Sequence, residues 1–487
     1  MNKLLAAALV LSSAVASASG PKYKKPEVEV PPNWQSEAPF RAATPMDSLP
    51  KGKWWTIFGN EELNSYEDRA LQANQTLAGA VARLNEARAA ARVTQAGLYP
   101  ELDASPSVGR QRVSGNRPNV SSSLAAQPIT QNVFSIPFTL NYEVDLFGAV
   151  RNNVRSAEAQ LQAEAATLEN VRLIVTSELA ADYFQLRSLD SEITDVTDVI
   201  AFEQKGLDLV NRRHEGGVAS GLDVAQQQTV LDSTFTQLEL LKQQRAQYQH
   251  ALAVLQGIPA PSFAAPAHVL DTAVPNVPMS LPSQLLERRP DIATAERRVA
   301  AANAQIGVAR AAFFPNVILG AGGGVQSTSI ASLFSGPSAL WSIGVSALEP
   351  IFAGGRIRAR YQQSKAVYDE SVAAYRQSAL EGFQQVEDAL SALRTLDAAS
   401  QSQQRALADA RRTLELANIR YTGGLVSYLD VISAQEQVLA NQRLATQLQG
   451  QRVITSVYLI KALGGGWDAT SLAGVTEKPA AGTVFRQ

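Results

Sequence analysis

The sequence predicts an α+β membrane protein in which four short amphipathic strands per chain contribute to a shared β-barrel, continued by very long α-helical hairpins, the whole internally duplicated. Three observations predict it. Four segments alternate apolar and polar residues with period two, runs of about 60 residues carry heptad-like apolar spacing, and the chain matches itself at a nearly constant offset.

The self-match is clearest where RRHEGGVASGLDV (212–224) aligns with IRYTGGLVSYLDV (419–431) at an offset of 207. It pairs Arg213 with Arg420, Gly216 and Gly217 with Gly423 and Gly424, Asp223 with Asp430, and further on Gly257 with Gly464. Upstream the offset is 215, pairing Tyr99-Pro100 with Phe314-Pro315. The repeats run over 61–257 and 283–464.

Each repeat opens on a helical stretch rich in Ala, Arg, Glu and Gln (61–98 and 282–312), ending where proline breaks the pattern. Strands follow at about 99–113 and 132–147, and in the second repeat at about 314–327 and 339–352. Alternation is sharpest in 134–147, with Phe134, Ile136, Phe138, Leu140, Tyr142, Val144 and Leu146 on one face and Ser135, Thr139, Asn141, Glu143 and Asp145 on the other. In the second repeat Trp341, Ile343, Val345 and Ala347 alternate with Ser342, Gly344 and Ser346. The links between strands (114–131 and 329–338) are rich in Ser, Asn, Gly and Pro and read as loops. Helical hairpins over 151–256 and 356–463 complete the repeats, the first opening with Val154, Ala157, Leu161, Leu168, Val171 and Val175.

Such strands match a transmembrane β-strand of about 9–11 residues. Four cannot close a barrel, and open edges are not tolerated in lipid, so two or more chains must each donate four. Phe134, Tyr142 and Trp341 are candidates for an interfacial aromatic girdle or for ordinary packing.

At the start, Lys3, the apolar run from Leu4 to Val15 and the small residues after it read as a signal peptide over 1–18, cut after Ala16 or Ala18. That run is shorter than the roughly 20 residues a membrane helix needs. No later run of 18 apolar residues exists, so the mature chain has no expected transmembrane helix. A net charge of −2 gives no reason to expect nucleic acid, and the absence of cysteine excludes disulfides and thiolate sites.

Five segments resemble the outer membrane factors of tripartite efflux systems, the TolC-like family, in the branch that partners resistance-nodulation-division (RND) pumps. They are PKYKKPEVEVPPNW (21–34), WWTIFGNEELNSYEDRAL (54–71), YEVDLFGAVR (142–151), PIFAGGRIRA (350–359) and, most specific, SQLLERRPDIATAERRVAAANAQIGVARAAFFPNV (283–317). The resemblance spans nearly the whole mature chain. It implies a homotrimer with a 12-stranded barrel in the outer membrane lipid and a periplasmic tunnel of 12 helices. It also implies equatorial segments at 19–60, 258–282 and 465–487. The implied function is the passive, gated exit duct for drugs or other small molecules, with a periplasmic membrane fusion (adaptor) protein and an inner-membrane RND-type transporter as partners. Type I protein secretion is the alternative use of such a duct.

In that family the turns between the long helices, here 214–222 and 421–429, coil inward and close the tunnel. Asp223, Tyr421 and Asp430 match the family's tip residues. Three Asp430 carboxylates would form a ring that binds cations, with Arg420 or Arg213 available to pair with them. Both aspartates also read as helix N-caps. Gly216-Gly217 and Gly423-Gly424 mark turns with positive φ. Val426 stands where some members have an arginine clasping the tip, and Ser433 where some have a second ring aspartate. Many relatives carry an acylated cysteine near the N-terminus. Ser17 stands at that place, so no lipid is expected.

No enzyme site, cofactor or resident metal is expected. GAGGGV (320–325) is followed by a strand, which fails the dinucleotide-loop context, and His214, His250 and His268 have no ligand spacing. The LLERRPD run reads as a helix start with charge pairing rather than an anion site. A porin or adhesive envelope protein would spend its residues on strands. A periplasmic coiled-coil scaffold would leave the alternating strands unexplained.

Overall fold

The computed structural model describes residues 20–32, 34, 52–114, 128–275, 277 and 282–467. The signal peptide, Ser17, most of the loop over 114–131 and the tail from 468 lie outside the described residues. The chain divides into two compact units, one within 1–26, 85–162 and 296–374, the other within 27–84, 163–295 and 375–487.

The first unit holds an antiparallel sheet of β1 (Glu101–Ala104), β2 (Ser107–Val113), β3 (Ile129–Glu143), β4 (Asn316–Ser327) and β5 (Ala339–Leu348). One strand was expected over 99–113, and the structure divides it at Ser105-Pro106. Both pieces keep one register on β3, Ala104 opposite Phe138 and Ser107 opposite Ser135. Pro106 has no N–H for the ladder, so the strand is interrupted without slipping.

The register turns four separate alternations into one two-faced sheet. Leu102, Leu140, Ala321 and Ile343 form one cross-strand row, and Ala104, Phe138, Gly323 and Trp341 the next on the same face. Asp103, Thr139, Gly322 and Ser342 form a row on the opposite face. Trp341 is 81% exposed on the apolar side, in the row of Phe138, while Phe134 and Tyr142 stand toward the two ends of β3. The glycine-rich run of β4 serves close approach, because a Cβ on Gly324 would lie 2.2 Å from the carbonyl oxygen of Ile136. Among the described residues, β1 and β2 pair only with β3, and β5 only with β4, so both edges are unpaired within the chain.

The helices are α1 (Glu61–Ala73), α2 (Gln75–Ala96), α3 (Ala149–Glu215), α4 (Gly221–Leu255), α5 (Pro282–Arg288), α6 (Pro290–Ala311), α7 (Arg356–Thr422) and α8 (Tyr428–Ala462). The hairpins of the two repeats have identical lengths, 67 residues followed by 35. At 1.5 Å per residue each long arm runs about 100 Å. None of the described helices is long and apolar enough to cross a membrane.

The helical stretches expected over 61–98 and 282–312 are each broken, the first at Asn74 and the second at Arg289, where the LLERRPD run reads as a helix start. The breaks are equivalent under the repeat. Asn74 Nδ2 donates to Leu255 O at 2.8 Å and Arg289 Nη1 to Ala462 O at 2.9 Å, tying the break to the C-terminus of α4 or α8. Asn74 also caps α2 by accepting from Leu77 N at 3.0 Å. Arg289 precedes Pro290, which disfavours helical backbone at that residue.

In the second unit, a short turn of 3-10 helix (Trp54–Phe58) buries Trp54, Trp55 and Phe58, with Phe58 packed on Phe184 of α3 and Trp54 Nε1 donating to Thr176, while Tyr66 meets Tyr183 and Phe263 edge-on. Buried Asp190 accepts from Arg187 at 2.8 Å, from Arg245 at 2.5 Å and from His268 N at 3.2 Å. Those arginines also hold Pro266 O and Ala265 O, so this node pins the inter-repeat segment to α3 and α4. Its counterpart in the second repeat is Arg452 with Asp397 at 2.6 Å.

Candidate gating site at the helix turns

The two hairpin turns are built alike. Each long arm ends in a left-handed glycine, Gly217 at φ +74° and Gly424 at φ +73°. Val218 N donates to Arg213 O at 2.8 Å and Leu425 N to Arg420 O at 2.9 Å, each closing the last helical turn. Gly216 and Gly423 were also expected at positive φ, but they remain in the helical turn, donating to Arg212 O and Ile419 O.

The aspartates are not the N-caps they were expected to be; the caps are Ser220 and Ser427, three residues earlier. Ser220 Oγ accepts from Asp223 N at 3.3 Å while Asp223 Oδ2 accepts from Ser220 N at 2.9 Å, a reciprocal capping box. In the second turn Ser427 Oγ donates to Asp430 Oδ2 at 2.8 Å, and Asp430 is exposed.

The expected arginine–aspartate pairs do not form. Among the described residues no ion pair joins Arg213 or Arg420 to Asp223 or Asp430. Instead the Arg213 guanidinium lies over the Tyr421 ring, 4.5 Å from its centroid, and Arg420 is exposed. A guanidinium on an aromatic face keeps much of its hydration, which a close carboxylate pair would forfeit.

What joins the two turns is an apolar cluster of Val210, Val230, Tyr421, Tyr428, Val431 and Ile432, with Val426 packed against it. At the place of the family's clasping arginine, then, this chain makes an apolar contact. Tyr428, which the sequence reading did not single out, is central. Its ring meets Tyr421 at 4.9 Å, and its hydroxyl donates to buried Gln227 Oε1 at 2.8 Å. Gln227 Nε2 in turn donates to Glu203 O at 3.1 Å. Gly206 leaves room for that hydroxyl, since a Cβ there would come within 3.1 Å of it. Burial, with Tyr421 beside it, pushes the Tyr428 phenol up to about 12, so it stays a donor throughout the physiological range. The signal that could have found it is a departure from the repeat, Gly221 standing where Tyr428 stands in the second half. Outside the cluster each turn exposes an equivalent apolar pair, Val218 with Leu222 and Leu425 with Leu429, all more than half exposed.

Deeper in the first hairpin, Glu203 is 1% exposed. Its Oε1 accepts from Thr234 at 3.2 Å and its Oε2 has no partner. Burial raises its pKa above the ordinary value of 4.5, with Glu436 adding to the rise and Thr234 opposing it. Below 4.5 both folded and unfolded chains hold the proton and nothing is lost; as pH rises toward the folded value, the unfolded chain ionises first and stability falls. Glu203→Gln is therefore expected to stabilise the protein at pH 7.5 by about 1–2 kcal/mol and by nothing near pH 4. Thermal unfolding in detergent at both pH values checks this, and an equal gain at both would refute the assignment.

A family model described as "Outer membrane efflux protein" matches residues 67–257 and 281–465. The chain is 34% identical over 467 residues to the pyoverdine export outer membrane protein OpmQ of Pseudomonas aeruginosa, covering 96% of this chain and 97% of that one. It is 31% identical over 476 residues to outer membrane protein OprJ of the same organism, covering 95% and 96%. The crystal structure of the Campylobacter jejuni CmeC outer membrane channel superposes with a TM-score of 0.86 at 25% identity, covering 93% of this chain and 96% of that one.

Proposed function

The chain belongs to the outer membrane efflux protein family and is an outer-membrane efflux channel rather than a catalyst, and from that premise we propose that it works as a homotrimeric exit duct, gated at its helix turns. The observation that carries the assembly is the sheet, with one apolar face, one polar face and two unpaired edges. Such a sheet is stable in lipid only when its edges find partners and its polar face meets water.

The repeat supplies the partner register. Carried over by the offsets that relate the repeats, the β3–β4 pairing of Phe138 with Gly323 becomes Val345 of one protomer opposite Val108 of the partner subunit. This keeps the apolar residues of β5 and β2 on one face, as a closed barrel requires. With β1 and β2 counted as one interrupted strand, three chains with four strands each would give 12.

The turns are the proposed gate. Asp430 is exposed beside its cap, so three copies around a narrow opening would favour cations. The exposed pairs Val218–Leu222 and Leu425–Leu429 suit docking of a periplasmic adaptor, through which an inner-membrane RND-type transporter would deliver small-molecule cargo. The capping box of Asp223 and the left-handed Gly217 and Gly424 shape the turns that carry those pairs.

The chain has no cysteine, so directed cross-linking tests the assembly cleanly. Oxidising membranes that carry the double variant Val108→Cys with Val345→Cys is expected to give a covalent three-chain species. Pairing Val345→Cys with Gly109→Cys, one residue out of register, is expected to give almost none, because directly opposite Cβ atoms lie about 4.5–5.5 Å apart and neighbours on the other face do not. A chain that migrates as a monomer in mild detergent and links at neither pair would overturn the trimer.

A further inference from the structure

Within the second unit lies a cavity of about 190 Å3. Asn170, Leu173 and Ile174 of α3 line one side; Arg289, Asp291, Gln385 and Lys461 line the other. Arg289 consumes the acceptors there. Its Nε and Nη2 hold the two oxygens of Asp291 at 3.0 and 2.6 Å, and Nη2 also holds Gln385 Oε1 at 2.9 Å. Asp291 Oδ1 additionally accepts from Ile292 N at 2.9 Å. The lining groups left over are mainly donors, the Asn170 amide oxygen being the one acceptor among them. The Lys461 ammonium, the Asn170 amide and Gln385 Nε2 have no hydrogen-bond partner among the described residues. Burial pulls the Lys461 pKa below its ordinary value, partly offset by Glu178.

The repeat provides an internal control. At the equivalent positions the first repeat carries Asn74, Thr76, Glu178 and Val254 where the second carries Arg289, Asp291, Gln385 and Lys461. Asn74 performs the structural task of Arg289, holding the last carbonyl of the neighbouring helix at 2.8 Å. A neutral amide therefore suffices for the fold. The charges added in the second repeat carry a desolvation penalty that the fold does not require.

We propose that this cavity binds a small organic carboxylate, its anion held by Lys461 Nζ and the Asn170 and Gln385 amides, its hydrocarbon part resting on Leu173 and Ile174. A charge-assisted contact of this kind dominates the affinity of a small ligand, while the apolar wall sets which tails fit.

The test uses the full chain purified in nonionic detergent, with butyrate, butyramide and butylammonium as probes followed by saturation-transfer NMR titration. Butyrate is expected to bind saturably and the other two not at all. Lys461→Met should weaken butyrate about tenfold or more, and Lys461→Arg should largely restore it. Ile174→Trp, which fills the cavity and leaves Lys461 in place, should abolish binding and decides the matter should the Lys461 variants not fold. Absence of saturable butyrate binding to the wild type, butylammonium binding as well as butyrate, or butyrate binding untouched by Ile174→Trp would each overturn the site.

Discussion

Gly464→Ala is expected to cost more stability than any other single methyl group added to this chain. Gly464 has φ +91°, and a Cβ built there would lie 2.0 Å from the carbonyl oxygen of Arg288. Two penalties add. A side chain in left-handed backbone costs about 1–2 kcal/mol, and forcing backbone apart in a packed region about 1–3 more. Neither neighbour can yield easily, because α8 is tied through Ala462 O to the Arg289 side chain. Its equivalent in the first repeat, Gly257 at φ +68°, would bring a Cβ 2.4 Å from Ala73 O. Each repeat is thus closed by a backbone-to-backbone contact that only glycine permits. Purified Gly464→Ala should melt well below wild type, or fail to reach the membrane, and Gly257→Ala should do much the same. Gly344→Ala is the control, since a Cβ there meets nothing within 4 Å and φ is not positive. A Gly464→Ala protein that melts with the wild type would show the contact to be looser than the geometry demands.

The same glycines show what a sequence can and cannot disclose about this molecule. Gly257 and Gly464 stand out as a matched pair in the alignment of the repeats, but the carbonyl each touches lies nearly two hundred residues upstream, and no local pattern points to it. The strands were legible because period two is local, and their common apolar face followed once the register aligned them. Pro106 was visible too, although its effect, an interruption without a slip, depends on β3 holding both pieces. The break at Asn74 has no local signal, because composition favours helix on either side, whereas LLERRPD marks a helix start at Arg289-Pro290; what neither stretch discloses is the tie to the carbonyl of a distant helix end. At the turns, Ser-x-x-Asp is itself the signature of a capping box, so placing the caps at Ser220 and Ser427 was within reach of the sequence. That Arg213 would lie over Tyr421 rather than meet a carboxylate was not, since the contact joins two different hairpins.

Tyr428→Ala is expected to open the channel. Tyr428 is 3% exposed and links the second turn to the first hairpin by its ring on Tyr421 and its hydroxyl on Gln227. Truncating a buried aromatic to alanine typically costs 3–5 kcal/mol, and here the loss falls on the packing between hairpins rather than within either one. Each hairpin keeps its own left-handed glycine and its own Ser–Asp hydrogen bond at the following helix start, so the arms should persist while their ends separate. Tyr428→Phe isolates the hydrogen bond. It leaves buried Gln227 Oε1 without its donor, a cost of about 1–3 kcal/mol, and should give an intermediate phenotype. In planar bilayers, single-channel conductance should rise in the order wild type, Tyr428→Phe, Tyr428→Ala. In cells, uptake of a bulky antibiotic normally excluded by the outer membrane should rise in the same order. Asp430→Asn separates charge from closure, because it should weaken cation preference while leaving conductance near that of the wild type. Trimers of Tyr428→Ala that conduct no better than wild type would show that the tyrosine cluster stabilises the turns without holding them shut, and the gate would then have to be sought in the contacts between chains.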